Sequence, residues 1–152
     1  MAVYQRECLA SVKGEMIPML DLHWMETEPN QDTIKLDPDW KEYARLDAAG
    51  ILHIFTAREV GLLIGYCVVM ISESMHHKGH IFADTDVIYI KPEHRKGRLG
   101  AELIRFADKY CEEAGASLMT INMKVNSPFD NILVEQGFEL IERVYHKCAL
   151  GE

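Results

Sequence analysis

No segment of this chain stays apolar for the roughly 18 residues that a membrane span requires. The nearest candidate, residues 61–71, is too short, and Gly65 and Tyr66 interrupt it. The N-terminus lacks a basic stretch followed by an apolar core, so no secretory signal and a cytoplasmic location are expected. Cysteine is sparse. Cys8, Cys67, Cys111 and Cys148 lie far apart, with no CxxC pair. That spacing argues against a zinc knuckle and suits buried thiols in a reducing compartment. Neither GxGxxG nor GxxxxGK occurs, which disfavours a nucleotide-binding α/β domain. Positive charge is also short: 16 Lys and Arg face 24 Asp and Glu, for a net charge of −8. Nucleic-acid binders neutralise phosphates with Lys and Arg, so this balance argues against such a partner.

What is present suits one soluble domain spanning residues 1–152. Hydrophobic residues make up 48% and charged residues 26%, enough apolar material for a core. No repeat, linker or low-complexity segment divides the chain. Charge is unevenly spread. Residues 1–50 carry five Lys/Arg against ten Asp/Glu, whereas residues 91–109 carry six against three. A small basic spot in an acidic protein fits one anionic small molecule, and the acidic first third would attract a cation. Most of those acids are nonetheless expected to be solvated surface.

The patterning predicts a helix over residues 16–24 and a second over 39–49, opened by Asp37-Pro38-Asp39 and closed by Gly50. Residues 51–58 and 62–72 read as a hairpin around Glu59-Val60-Gly61. Residues 80–83 and 84–90 are extended, as two strands with a tight junction. A helix follows, with Leu99, Leu103, Ile104, Ala107 and Cys111 on one stripe. Residues 117–125 form a strand, Ser127 and Pro128 open a short helix to about 135, and residues 138–149 form a last pair of strands. The result is a mixed α/β domain whose strand-helix-strand unit is a right-handed crossover.

The most informative stretch is the strand ending at Ile90, the segment Arg95-Lys96-Gly97-Arg98-Leu99-Gly100, and the helix after it. Amides at a helix start lack intrahelical partners, and the helix dipole favours negative charge there. Strand, basic glycine-containing loop and helix, in that order, make a pyrophosphate cradle.

These residues resemble the GNAT superfamily of acyl-CoA-dependent N-acetyltransferases. The family's phosphate loop is R/Q-x-x-G-x-G/A, which Arg95 and Gly100 match at its first and last positions. Arg98 stands where the family usually has its inner glycine, with Gly97 one place earlier. Asn126 and Gly137-Phe138 match later elements of the pattern. Residues 37–40 and 142–147 are similar to small acetyltransferase-like proteins of tailed bacteriophages. The resemblance implies a central, mostly antiparallel sheet of six to seven strands with about four helices, split between the fourth and fifth strands. It implies acetyl-CoA as acyl donor, lying in that split. Backbone groups along Ile88, Tyr89 and Ile90 would pair with the pantetheine arm. The loop Arg95, Lys96, Gly97, Arg98, Leu99 and Gly100 would hold the pyrophosphate, and Asn126 would reach the arm from the far side. Homodimers are common for this fold.

Acetyl transfer needs a base for the amine, donors for the thioester oxygen, and a proton for the leaving thiolate. Asp84 and Asp86 are the candidate bases. Period-2 alternation puts them on one face with Ile88 and Ile90. An ordinary Asp has a pKa of about 3.9, so burial or the second carboxylate must raise it. In the family an acidic residue on this strand acts as base, directly or through water. The family's usual acid position is Leu133 here, which leaves Tyr145 as a candidate. His76, His77 and His80 form an HHxxH cluster. A loop offers no fixed ligand spacing, so no metal is expected. His76 and His77 are instead candidate acceptor contacts, with Glu26 as a cation-binding candidate. The implied activity is transfer of acetyl to a primary amine by direct attack in a ternary complex. The alternative is an acyl-CoA-binding interaction protein without transfer. Polyamine, aminoglycoside, lysine side chain and protein N-terminus all stay open as acceptors.

Overall fold

The structure, a computed structural model, describes residues 1–150. The elements run β1 (Val3–Glu7), α1 (Leu9–Thr27), α2 (Trp40–Ala48), β2 (Leu52–Glu59), β3 (Leu62–Glu73), β4 (Ile81–Ile90), a 3-10 turn (Pro92–His94), α3 (Leu99–Glu113), β5 (Ala116–Thr120) and α4 (Phe129–Glu135). One five-stranded sheet has the order β1-β2-β3-β4-β5. The first three pairings are antiparallel, and β4 pairs with β5 in parallel. Parallel neighbours need a crossover, which α3 supplies.

Each face of the sheet carries its own core. Leu9, Val12, Met16 and Met19 of α1 recur at helical spacing and pack on Ile54, Tyr66, Val68 and Tyr89. On the other face Leu103, Ile104, Ala107 and Cys111 of α3 pack on Phe55, Cys67, Val69 and Ile88. Strand β3 is covered on both sides, and Leu63 to Val69 are all buried. A strand buried twice reads as a continuous apolar run, which is why residues 61–71 look so hydrophobic.

The fold class is as expected, but the strand count is lower. Residues 80–83 and 84–90 belong to one strand, β4, apart from His80. The strand expected over 117–125 ends at Thr120. The last pair expected over 138–149 has no regular structure among the described residues. Leu140, Ile141, Val144 and Tyr145 stand exposed there, and β-prone residues form no ladder without a partner strand. Strand β1 went unpredicted because Val3–Glu7 lacks an apolar alternation. It is an edge strand, held by its register on β2 from Val3↔Arg58 to Glu7↔Ile54.

Candidate active site

The sheet splits where the β4–β5 ladder ends. The two strands pair from Ile81↔Ala116 to Asp84↔Thr120, and β4 then runs on alone to Ile90. Beyond the ladder, Lys91 N–H donates to Ile64 O at 2.9 Å. Antiparallel alternation therefore turns Tyr89 toward β3 and turns the backbone groups of Ile88 and Ile90 to the open edge. This edge ends at the basic loop. Gly97 sits at φ +110°, a left-handed conformation that favours glycine. Arg98 then caps α3 without a side-chain bond. The first bond of the helix runs from Glu102 N–H to Arg98 O at 2.9 Å, so the amides of Arg98, Leu99, Gly100 and Ala101 precede the intrahelical ladder. Gly100 permits the close approach of α3. A Cβ there would lie 3.0 Å from Phe129 Cε1 and 3.2 Å from Ile90 Cδ1. Lys96 and Arg98 are exposed, with no ion pair or side-chain hydrogen bond among the described residues. Asn126, exposed at φ +62°, begins the turn before α4 on the far bank.

Arg95 behaves differently from its loop neighbours. Its Nε donates to Ile90 O at 2.8 Å, its terminal nitrogens grip both oxygens of Glu26, and its guanidinium lies 5.3 Å from the Tyr89 ring centre. The pair holds the Glu26 carboxyl below the usual carboxylate range. Glu26 is thus already paired in the structure. Lys124, beyond β5, reaches Glu28 at 3.4 Å. The end of α1 therefore touches both banks of the split.

The two aspartates part company. Val68 faces Val87 and Val69 faces Thr85, so Asp86 is the unpaired residue of a β-bulge. The bulge resets the alternation. Ile88 packs with the α3 core and Ile90 reaches toward Gly100 of α3, whereas Asp86 turns to the α1/α2 side. The shared face expected for Asp86, Ile88 and Ile90 is therefore corrected. Asp86 borders a cavity of about 300 Å³ that includes Trp24, Trp40, Tyr43 and Val87 in its wall. Tyr43 donates to Asp86 Oδ2 at 2.8 Å, and burial together with this carboxylate pushes the Tyr43 phenol up. His23, with its ring 4.9 Å from Tyr89, also lines this cavity, and burial pushes its pKa down. Asp84 accepts from the Thr120 hydroxyl at 2.6 Å and borders a second hollow, of about 370 Å³, with His76, His77 and Phe82. His80 turns to Ser117, 2.8 Å away. Tyr145 is 85% exposed, lines neither cavity and makes no hydrogen bond among the described residues.

Sequence reasoning missed Tyr43, Trp40 and the α1–α2 loop as cavity walls. Their only signal is Asp39, whose side chain accepts from Glu42 N–H at 3.0 Å and so fixes where α2 starts.

Several solved structures share this arrangement of sheet, split and helices. A ribosomal-protein-alanine N-acetyltransferase of Brucella melitensis biovar Abortus 2308 is 20% identical, with a TM-score of 0.69 over 99% of this chain and 100% of that one. An aminoglycoside acetyltransferase from an uncultured soil metagenomic sample, in complex with sisomicin, is 12% identical, with a TM-score of 0.74 over 99% and 97%. A predicted acetyltransferase of Clostridium acetobutylicum, solved with acetyl-CoA, is 16% identical, with a TM-score of 0.70 over 97% and 96%. At these identities the likeness is one of fold. No curated relative matches the chain in sequence. The family model described as acetyltransferase (GNAT) family matches residues 17–131, most of the chain including the split, the loop and the Asp86 cavity, and the protein belongs to that family.

Proposed function

We propose that this protein transfers an acetyl group from acetyl-CoA to a primary amine by direct attack in a ternary complex. One observation carries the reading. The open edge of β4 joins free helix-start amides at one end to a carboxylate bordering an aromatic-lined cavity at the other. The residues present fit an acyl-CoA. Lys96, Arg98 and the amides of Arg98 to Ala101 suit its pyrophosphate, and the backbone of Ile88 and Ile90 suits its amide-bearing arm. Arg95 serves as a strut between loop and α1, and Asn126 lies beyond β5 to meet the arm from the other bank.

Asp86 is the base in this reading. It takes one proton from the acceptor ammonium, directly or through water, and passes it to solvent. The amine nitrogen then attacks the thioester carbon. The C–N bond forms, the C–S bond breaks, and the second amine proton leaves with the thiolate, giving CoA as a thiol. Backbone N–H groups on the open edge stabilise the developing oxyanion, already in place when the charge appears. Tyr43 holds Asp86 in position. Asp84, held by Thr120 beside His76 and His77, is a secondary acceptor contact. Tyr145, exposed and outside both cavities, has no proton-transfer role here.

Thiol release from acetyl-CoA across an amine panel tests the activity. Acetyl-CoA binding without release on any amine would establish an acyl-CoA-binding protein instead. Arg98→Ala is expected to weaken acetyl-CoA by about tenfold, the effect of one charge-assisted hydrogen bond of about 1.5 kcal/mol. Calorimetry reads this directly, and unchanged affinity removes Arg98 from the pyrophosphate site.

A further inference from the structure

The Asp86 cavity points to a particular kind of acceptor, an inference that rests on the acetyl-transfer reading above. Its walls are largely apolar or aromatic. Helix α1 gives Leu20 and Trp24, the α1–α2 loop gives Ile34 and Leu36, and α2 gives Trp40. Four ionisable side chains of fixed charge also line it: Glu28, Lys35, Asp37 and Asp86. Glu28 is paired with Lys124 at 3.4 Å, and Lys35 offsets Asp37 in formal charge. One carboxylate is left over, Asp86. Tyr43 occupies its Oδ2, while Oδ1 accepts nothing among the described residues. The cavity thus offers one net negative charge and one free acceptor atom, on the wall of an aromatic-lined hollow open to solvent.

That chemistry selects against molecules with many charges. A polyamine brings a second ammonium, and the remaining charges of the lining, Lys35 and Asp37, cancel, so the walls offer it no net attraction. An aminoglycoside adds many hydroxyls, each needing a partner that apolar walls do not supply. An ammonium followed by a flat apolar body fits. The charge meets Asp86, the body stacks among Trp24, Trp40 and Tyr43, and an ammonium near an aromatic face gains further attraction. The volume, about 300 Å³, lies at the small end of ligand pockets and suits a free small molecule. We propose that the acceptor is a small primary monoamine with an apolar, aromatic body.

Both tryptophans of the chain line this cavity. Their fluorescence therefore reports on its occupancy whether or not chemistry follows. The test titrates 2-phenylethylamine into the protein saturated with CoA. In parallel, thiol release from acetyl-CoA is followed with 2-phenylethylamine, spermidine, sisomicin and a peptide beginning with Phe. A saturable fluorescence change is expected, weakened at least tenfold in Asp86→Asn. The single-tryptophan variant Trp24→Phe should retain part of the change through Trp40. The kcat/KM for 2-phenylethylamine should exceed those of spermidine and sisomicin by at least tenfold. Spermidine or sisomicin turning over as well or better would overturn the proposal. So would the absence of a saturable fluorescence change, and a better rate with the Phe peptide would overturn the assignment to a free small amine. A saturable fluorescence change with no thiol release on any amine would sustain the cavity's preference while defeating acetyl transfer.

Discussion

Asp86→Asn is expected to lower kcat for acetyl transfer by about 10²- to 10⁴-fold, the usual contribution of a positioned acid or base. The substitution is nearly isosteric. Its amide oxygen still accepts from Tyr43, so the cavity wall keeps its geometry while the site loses its negative charge and proton acceptor. Acetyl-CoA affinity should stay unchanged, because the proposed donor site begins past the bulge and the Ile88 and Ile90 side chains pack on the opposite face. Asp84→Asn serves as the comparison. Asp84 lies in the other hollow, bonded to Thr120, and its loss should cost less than about tenfold, below the range of a general base. Steady-state thiol release with calorimetric acetyl-CoA binding checks both. Normal turnover in Asp86→Asn removes that residue from the chemistry.

The second large effect is on stability. Arg58→Met is expected to destabilise the fold by about 2–3 kcal/mol, less than the cost of breaking a fully buried charge pair because this one is part-buried. The Arg58 guanidinium donates to Glu7 at 2.8 and 3.1 Å, to Glu15 at 2.8 and 3.0 Å, and to Gly61 O at 2.9 Å. The side chains of Arg58 and Glu7 are only 15% and 12% exposed. Three elements meet there: β1 through Glu7, α1 through Glu15, and β2 through Arg58. Without the cation, two carboxylates face each other, and the polar edge strand β1 loses a side-chain tie that supplements its ladder on β2. For a domain of this size the expected drop in Tm is roughly 4–12 °C.

The same cluster sets an acid limit. Burial by itself would raise the Glu7 pKa, but hydrogen bonds from Arg58 and Thr56 outweigh it and hold the carboxyl at about 2, from an ordinary 4.5. A folded-state pKa below the unfolded one adds stability above the unfolded value and loses it as pH falls through the folded one. The contribution, about 3 kcal/mol, is therefore complete well above pH 4.5 and fades between 4.5 and 2. Thermal melts across pH 2–6 should show this slope in the wild type and a flatter one in Arg58→Met. Equal slopes would mean that Arg58 is not what depresses Glu7.

Local signals made part of this protein readable before its structure. The stripe Leu103, Ile104, Ala107 and Cys111 is a helical period, and all four residues are buried as that period requires. The β2–β3 hairpin follows from apolar runs flanking a Val60-Gly61 turn, both at positive φ. The phosphate-loop site is equally local. Free amides arise wherever a helix starts, and Gly97 and Arg98 lie next to that start.

The remainder depended on contacts between distant residues. In sequence Arg95 and Glu26 look like separate ligand contacts, and the fold joins them across 69 positions. Tyr43 reaches Asp86 across 43 positions, so nothing near either residue announced the pair. Strand β1 exists because β2 offers it hydrogen bonds, while residues 138–149 carry a strand-like composition but no neighbour in the described structure. The bulge at Asp86 shows the difference in one residue. Alternation along a single strand predicts a face, but pairing with β3 decides where the count slips. The sequence alone determined the helices, the hairpin and the anion-binding loop, because these follow from neighbours in the chain. Only the tertiary structure decided that Asp86 leaves the face of Ile88 and Ile90, because a side chain's face in a sheet is set by the register of the strand beside it.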